Sequence, residues 1–401
     1  MTRDEPHRET LPYGALLALA MTGFICILTE TLPAGLLPQI VSGLSVSPAM
    51  AGQMVTVYAL GSLMAAIPLT IATQGWRRRT VLLVTIVGFL LFNSVTALSS
   101  TYWLILVARF FAGVSAGLAW SLIAGYARRM VAPALQGRAL AVAMVGTPIA
   151  LSLGVPMGTW LGGLIGWRMA FGLMSALTLV LIAWVLIKVP DYPGQTSERR
   201  LPLRRVLVTP GVRSVLAVVV TWMLAHNILY TYIAPFVSQA GLTSNVDVVL
   251  LVFGVAALAG IWITGRLVDR HLRNTVLASL ATFAAVAVLL GVLSPSAPAI
   301  YAGTFIWGLT FGGAATLLQT ALADAAGEGA DVALSMNVVV WNSAIAGGGL
   351  LGGVLLGHWG VAAFPWVLFG LLLGSLTIAL RARAHGFPYG ERRSGGVVVG
   401  H

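Results

Sequence analysis

Two ionisable side chains stand deep in segments that are otherwise apolar. Glu30 lies in the run ALLALAMTGFICILTETLPAGLLP, and Arg109 lies in YWLILVARFFAGVSAGLAW. A charge held in hydrocarbon costs several kcal/mol unless it is paired or neutralised, so such residues are functional candidates by default. Glu30 is nine residues from Gln39 and Arg109 seven from Tyr102, which at ~1.5 Å per residue puts them about 13 and 10 Å from the same boundary. Their depths match. Two readings stay open: Glu30 is a protonation site, the reading preferred here, or the two form a permanent ion pair that fixes helix packing. Burial favours the neutral carboxyl and a neighbouring cation the ionised one, so the two effects oppose.

His226, beside Asn227, sits near the middle of another apolar run. An imidazole there can relay a proton or hydrogen-bond a hydroxyl; the alternative is a neutral histidine bonded to a neighbouring helix carbonyl. Further polar residues in apolar runs are Gln53, Tyr58, Tyr230, Tyr232, Gln319, Asn337 and Asn342, the last next to Trp341. Amides, hydroxyls and an aromatic face suit a sugar-like solute. The same groups serve equally as hydrogen-bonding glue between helices. Trp103, Trp167 and Trp359 fall at run ends, where tryptophan anchors a membrane interface.

The elements that position these residues follow from composition. Of 401 residues, 58% are hydrophobic and 9% charged, against about a quarter charged in soluble domains. The chain is a membrane protein. Measured against the ~20 residues a spanning helix needs, the sequence holds twelve runs: Gly14 to Gln39, Pro48 to Thr73, Thr80 to Leu98, Tyr102 to Tyr126, Ala139 to Gly163, Trp167 to Lys188, Val212 to Ala240, Val246 to Val268, Thr275 to Leu293, Ala297 to Ala321, Val332 to Gly357 and Val361 to Leu380. None alternates with the period of two that a lipid-facing barrel requires. The first run is read as a retained anchor rather than a cleaved signal.

The formal charge of +11 does not point to nucleic acid, because the basic residues form short clusters between the runs. If both termini are cytoplasmic, 21 of the 23 basic residues lie inside, which the positive-inside rule favours. The predicted organisation is an N-terminal tail (1–13), a six-helix bundle (14–188), a cytoplasmic linker (189–211), a second bundle (212–380) and a C-terminal tail (381–401). TQGWRRRT after the second run is echoed by GRLVDRHLRN after the eighth. Six plus six helices with matching basic loops predict a duplicated transporter fold with its site between the halves. Cys26 is the sole cysteine, so no disulfide or cysteine metal site is expected. The sequence holds no HExxH, paired intramembrane carboxylates or nucleophile elbow, and no phosphate-binding loop. An enzyme and a nucleotide-driven pump are therefore not expected. No cofactor is expected either, which leaves an ion gradient as energy source.

Four stretches resemble the major facilitator superfamily, and within it the drug:proton antiporters, especially bacterial sugar-efflux transporters. They are LTETLPAGLLPQI in the first run; Arg109 with Gly113 and Gly117 in the fourth; GTPIALSLGVPMGTWLGG in the fifth, with Gly154, Pro156 and Gly158 as the antiporter motif; and AHNILYTYIAPFV in the seventh. The resemblance covers about residues 14 to 380. It implies an all-α fold of twelve membrane helices and proton-coupled export of arabinose- or thiogalactoside-like sugars by alternating access. It also implies that the helices of Glu30 and Arg109 line one cavity. Gly154, Gly158 and Gly162 put bare backbone on one helix face, either as a gate or leak seal or as plain packing.

One departure stands out. The loop after the second run usually carries an acid where this chain has Gln74, and only Arg78 and Arg79 match its basic end. The second copy keeps Gly265, Asp269 and Arg270, so a gating charge clamp would rest there. Alternatives are export of an amphipathic drug such as chloramphenicol, and a non-transporting membrane sensor. A monomer in the cell membrane, with a small molecule, protons and lipid as its partners, completes the expectation.

Overall fold

The computed structural model describes residues 10–132, 135–194 and 203–389. Twelve of its helices are long and apolar enough to cross a membrane: Tyr13–Gly35, Pro48–Ala72, Arg78–Leu98, Tyr102–Arg129, Arg138–Ile165, Trp167–Lys188, Val212–Thr231, Thr243–Val268, Arg270–Leu293, Ala297–Ala326, Val332–Trp359 and Val361–Arg381. They match the twelve apolar runs in order. Most of the helices bordering the basic clusters extend past those runs to take in Arg78, Arg128, Arg129, Arg138, Arg270 and Arg381. Arginine is a good helix former whose stem can lie along apolar surface while its head reaches water.

The first, seventh and tenth runs, read as single spans, are interrupted. The first helix stops at Leu36, and a short helix Leu37–Leu44 with proline in its first turn follows. The seventh ends at Tyr232 (φ −112°, ψ 30°), before the proline-containing segment Ile233–Ser238. The tenth breaks at Gly313 between Ala297–Gly312 and Ala314–Ala326. Proline supplies no backbone donor and glycine resists helix least of all by sterics but most by entropy, which localises such breaks. The fifth span carries a π-helical stretch, Ala150–Gly154, immediately before Pro156.

Each half packs as a bundle. The second span lies along the fourth and the third along the sixth; in the other half, the seventh packs on the eleventh and twelfth. The halves meet where the eleventh span lies on the second and the eighth on the fifth. An even number of spans per half puts the linker at the same end of the bundle as both described termini. The hydrogen bonds joining the halves sit toward the opposite, far end. There Tyr232 Oη of the second half donates to Ala49 O of the first (3.4 Å), and Gln53 Nε2 of the first donates to Gly349 O of the second (3.4 Å), while Tyr232 Oη also bonds Gly349 O within its own half (2.7 Å). Across the fifth and eighth spans, a Cβ on Gly254 would lie 2.3 Å from the Cα of Ser152.

At the linker end the two halves are treated differently. Residues 190–194 sit on the first half, whereas the short helix Leu203–Leu207 packs on the seventh and eleventh spans with Val206 buried. The chain beyond the twelfth span is also held. Arg273 donates to the carbonyls of Ala379 (2.9 Å), Leu380 (3.1 Å) and Phe387 (2.7 Å) and lies over the Tyr389 ring. It thereby answers carbonyls that a helix end leaves without donors.

Replacing Gly254 with Val should destabilise the protein by about 1–3 kcal/mol, because the backbone at Ser152 cannot yield as a side-chain tip can. Thermal unfolding in detergent measures this, and an unchanged midpoint would contradict close contact between the fifth and eighth spans.

Candidate functional site

Arg109 owes its position to the glycines that follow it. A Cβ on Gly113 would lie 1.9 Å from the carbonyl of Tyr58, and one on Gly117 2.4 Å from that of Ser62. Without side chains there, the second span comes close enough for its backbone to meet the arginine. The guanidinium is fully buried. Its Nε donates to Met54 O (3.2 Å) and Nη2 to Glu30 O (3.4 Å), and it lies over the rings of Tyr58 (4.8 Å) and Phe171 (5.8 Å). Helix carbonyls and aromatic faces can jointly hold a cation away from water. Nη1 has no hydrogen-bond partner among the described residues.

The first span is fixed from its neighbours around Glu30. Tyr58 Oη donates to Cys26 O (2.9 Å), and Asn93 Nδ2 to Thr29 Oγ1 (3.0 Å). Pro33, four residues after Thr29, supplies no N–H to the helix ladder. Glu30 itself is buried, and its carboxylate forms no ion pair with Arg109. The sequence expectation that the two residues meet holds for the main chain only, since the arginine grips the Glu30 carbonyl and the backbone of the second span. A carboxyl held this way can change protonation without breaking an ion pair.

The other half presents an aromatic wall. The ring of His226 stacks on Phe311 at 3.5 Å with a 4° interplanar angle. Tyr230 (5.2 Å), Trp307 (5.3 Å) and Phe253 (5.7 Å) surround it. His226 Nδ1 and Trp307 Nε1 lack hydrogen-bond partners among the described residues. The alternative of a histidine tied to a neighbouring carbonyl is therefore not what Nδ1 shows. Phe311 lies two residues before the break at Gly313, so the ring covering His226 sits at the least regular point of the tenth span. Tyr230 belongs to the seventh span, which packs on the first span, the helix of Glu30.

The remaining candidates separate. Asn227 and Asn342 turn their amides back onto their own helices, bonding Met223 O (2.8 Å) and Val338 O (2.9 Å). Asn337 is buried with Oδ1 unpartnered among the described residues. Trp341 packs against the contact of Val55 and Ala59 with Ile345 and Ala346, between the second and eleventh spans. Gln53 belongs to the far-end contact, Tyr58 braces Arg109, and Gln319 is exposed on the tenth span. None of these three is part of the aromatic wall.

In the fifth span, a Cβ on Gly154 would come 2.9 Å from Phe24, and one on Gly158 2.7 Å from Leu32. The motif therefore faces the helix of Glu30, with Pro156 buried between the two glycines. Arg78 is buried with its guanidinium on the carbonyls of Thr73 and Gln74, and Arg79 offers its backbone N–H to Asp191. Gly265 and Arg270 are exposed, while the side chain of Asp269 lies outside the described residues. Among the described residues no His, Cys, Asp and Glu cluster could hold a metal.

The chain as a whole, rather than the site alone, matches a known family. The sequence profile described as Major Facilitator Superfamily fits residues 19–348. The chain belongs to the Major Facilitator Superfamily. It is a multi-pass membrane transporter and not an enzyme. The chain is 29% identical over 374 residues to a probable sugar efflux transporter of Mannheimia succiniciproducens, covering 91% of this chain and 92% of that one. It is 30% identical over 377 residues to the purine ribonucleoside efflux pump NepI of Escherichia coli O6:K15:H31, covering 92% and 94%. A solved structure of a bacterial homolog of the human lysosomal transporter Spinster shares the superfamily fold, with a TM-score of 0.66 at 13% identity over 95% of this chain and 97% of that one.

Replacing Tyr58 with Phe keeps the ring over Arg109 and removes the bond to Cys26 O. It should cost about 0.5–1.5 kcal/mol in unfolding. Arg109→Lys should be more damaging, because a point charge cannot serve two carbonyls and two ring faces together. Equal unfolding midpoints for the two variants would contradict the anchoring role of the guanidinium.

Proposed function

We propose that the protein exports a small hydroxyl-bearing solute across the cell membrane in exchange for protons, alternating access around the space between Glu30 and the aromatic wall. The linker and both termini face the cytoplasm, in keeping with the basic residues clustered there. The observation that carries the reading is a buried carboxyl, free of an ion pair, opposite a wall of aromatic side chains contributed by the other half. In the outward-facing state, protons from outside reach Glu30 and neutralise it, and substrate leaves. After the carrier turns inward, proton release restores the charge beside Arg109. Sugar is the first substrate class, supported by the seventh-span stretch and by the probable sugar efflux relative.

A second reading has its own support. The ring of His226 and its neighbours offer stacking surfaces and unpaired donors, which suit the flat base of a nucleoside better than a sugar alone. The purine ribonucleoside efflux relative points the same way.

The test is proton flux in proteoliposomes under an imposed pH gradient, adding an arabinose-type sugar, a thiogalactoside, a purine ribonucleoside and chloramphenicol in turn. Sugar-dependent flux that is lost in Glu30→Gln, with binding retained, is the expected result; full gradient-driven export by Glu30→Gln would overturn the coupling role. In the nucleoside reading, Phe311→Ala should change nucleoside transport at least about tenfold, a loss or gain of one stacking contact of roughly 1.4 kcal/mol. Sugar transport should change far less. Flux with chloramphenicol alone would replace both readings by drug export.

A further inference from the structure

The first-half loop has Gln74 where its second-half counterpart has Asp269, followed by Arg77, Arg78 and Arg79. Three consecutive arginines with Arg129 nearby repel one another unless an anion answers them. The structure supplies one from elsewhere in the chain. Asp191, in the linker, meets Arg77 through Oδ2–Nε at 2.5 Å, and its Oδ1 accepts the backbone N–H of Arg79 at 3.2 Å. The third span has no side-chain cap of its own at Arg77. One carboxylate therefore pairs with the loop's charge and caps the helix that follows.

The segment around Asp191 is docked as a unit. Arg78 N donates to Tyr192 O (2.9 Å), Tyr126 Oη to Pro190 O (2.6 Å) and Arg129 Nη1 to Pro193 O (3.1 Å). Gly194 is packed so closely on the loop that a Cβ there would lie 2.5 Å from the backbone of Gly75. Burial would raise the Asp191 carboxyl, but the bonds from Arg77 and Arg79 and their charges hold it below the usual carboxylate range. A group with a lowered value keeps its contribution above the ordinary carboxylate range and loses it only as pH falls through the lowered value. The contact therefore persists at neutral and mildly acidic pH.

We infer that Asp191 is a positioning residue of the transport cycle: it supplies from the linker the carboxylate the loop lacks at Gln74, and so fixes where the linker leaves the first half. The linker rejoins the fold at Leu203–Leu207 on the second half. In the chain, positions 195–202 connect these two ends. Releasing residues 189–194 adds up to about 3.3–3.6 Å of reach per residue. An anchored tether limits how far the linker ends of the two halves separate. The inference goes beyond the proposed function and depends on neither substrate nor proton coupling.

The test needs no substrate. Cysteines introduced at Ile187 and Leu380, both exposed at the linker end, take spin labels, while native Cys26 is buried. Pulsed dipolar spectroscopy in nanodiscs then compares Asp191→Asn with the parent. The expected result is a broader distribution that extends to distances longer by about 5 Å or more, one or two residues of chain, with the unfolding midpoint of the bundle nearly kept. A superimposable distribution would overturn the inference. If Asp191→Asn does not fold, Arg77→Gln removes the ion pair and leaves the cap; partial broadening supports the role, and none overturns it. Where a substrate is moved, Asp191→Asn should lower turnover several-fold with KM within about twofold; a KM effect alone would contradict a positioning role.

Discussion

The structure depends on keeping one full positive charge where water does not reach. Arg109 is tolerated because the second span comes within touching distance of the fourth, and that approach exists only because Gly113 and Gly117 have no side chains. Its donors go to main-chain carbonyls on the first and second spans, groups that never change charge. The arginine thus locks the frame around Glu30 while leaving the Glu30 carboxyl outside the lock. A permanent carboxylate–guanidinium pair would have tied packing and protonation together. Here they are separated, which is the condition for an acid that can cycle.

The two halves divide the work. The first half holds the ionisable groups, braced by Tyr58, Asn93 and the glycine face of the fifth span. The second half brings the wall of His226, Tyr230, Phe253, Trp307 and Phe311. The irregular points of the helices, at Leu36, Tyr232 and Gly313 and in the π stretch before Pro156, lie close in sequence to these residues. Membrane helices keep such irregularity only where neighbouring groups compensate it, which is where transporters place their sites. The far-end contact through Tyr232, Gln53 and Gly349 joins the halves on one side of this region.

The twelve spans were legible because hydrocarbon imposes a length and a composition on each helix, and both are properties of local sequence. Glu30 and Arg109 were legible for the same reason, as charges where charges are costly. The interruptions of the first, seventh and tenth spans were not, since proline and glycine are common in membrane helices and only packing decides which of them break one. The aromatic wall escaped as well. Phe253, Trp307 and Phe311 are unremarkable in an apolar run, and the one local sign, a Trp-to-Phe stretch ending in Gly312 and Gly313, acquires meaning only once the eighth and tenth spans surround His226. Asp191 escaped for the opposite reason: it lies in a polar segment where an acid is ordinary, and its partners are more than a hundred residues earlier.

The clamp made by Arg273 sets a boundary for anyone handling this protein. Its guanidinium binds Ala379 and Leu380 at the end of the last span and also Phe387 beyond it, and Tyr389 lies beneath the same cation. The residues after the last helix are therefore part of the folded body up to that point, with Gly386 seated against Gly211 at the start of the second half. A purification tag or fluorescent fusion joined directly at Arg381 would strip the arginine of one carbonyl and its aromatic face. The same fusion joined after Tyr389 would leave the clamp whole.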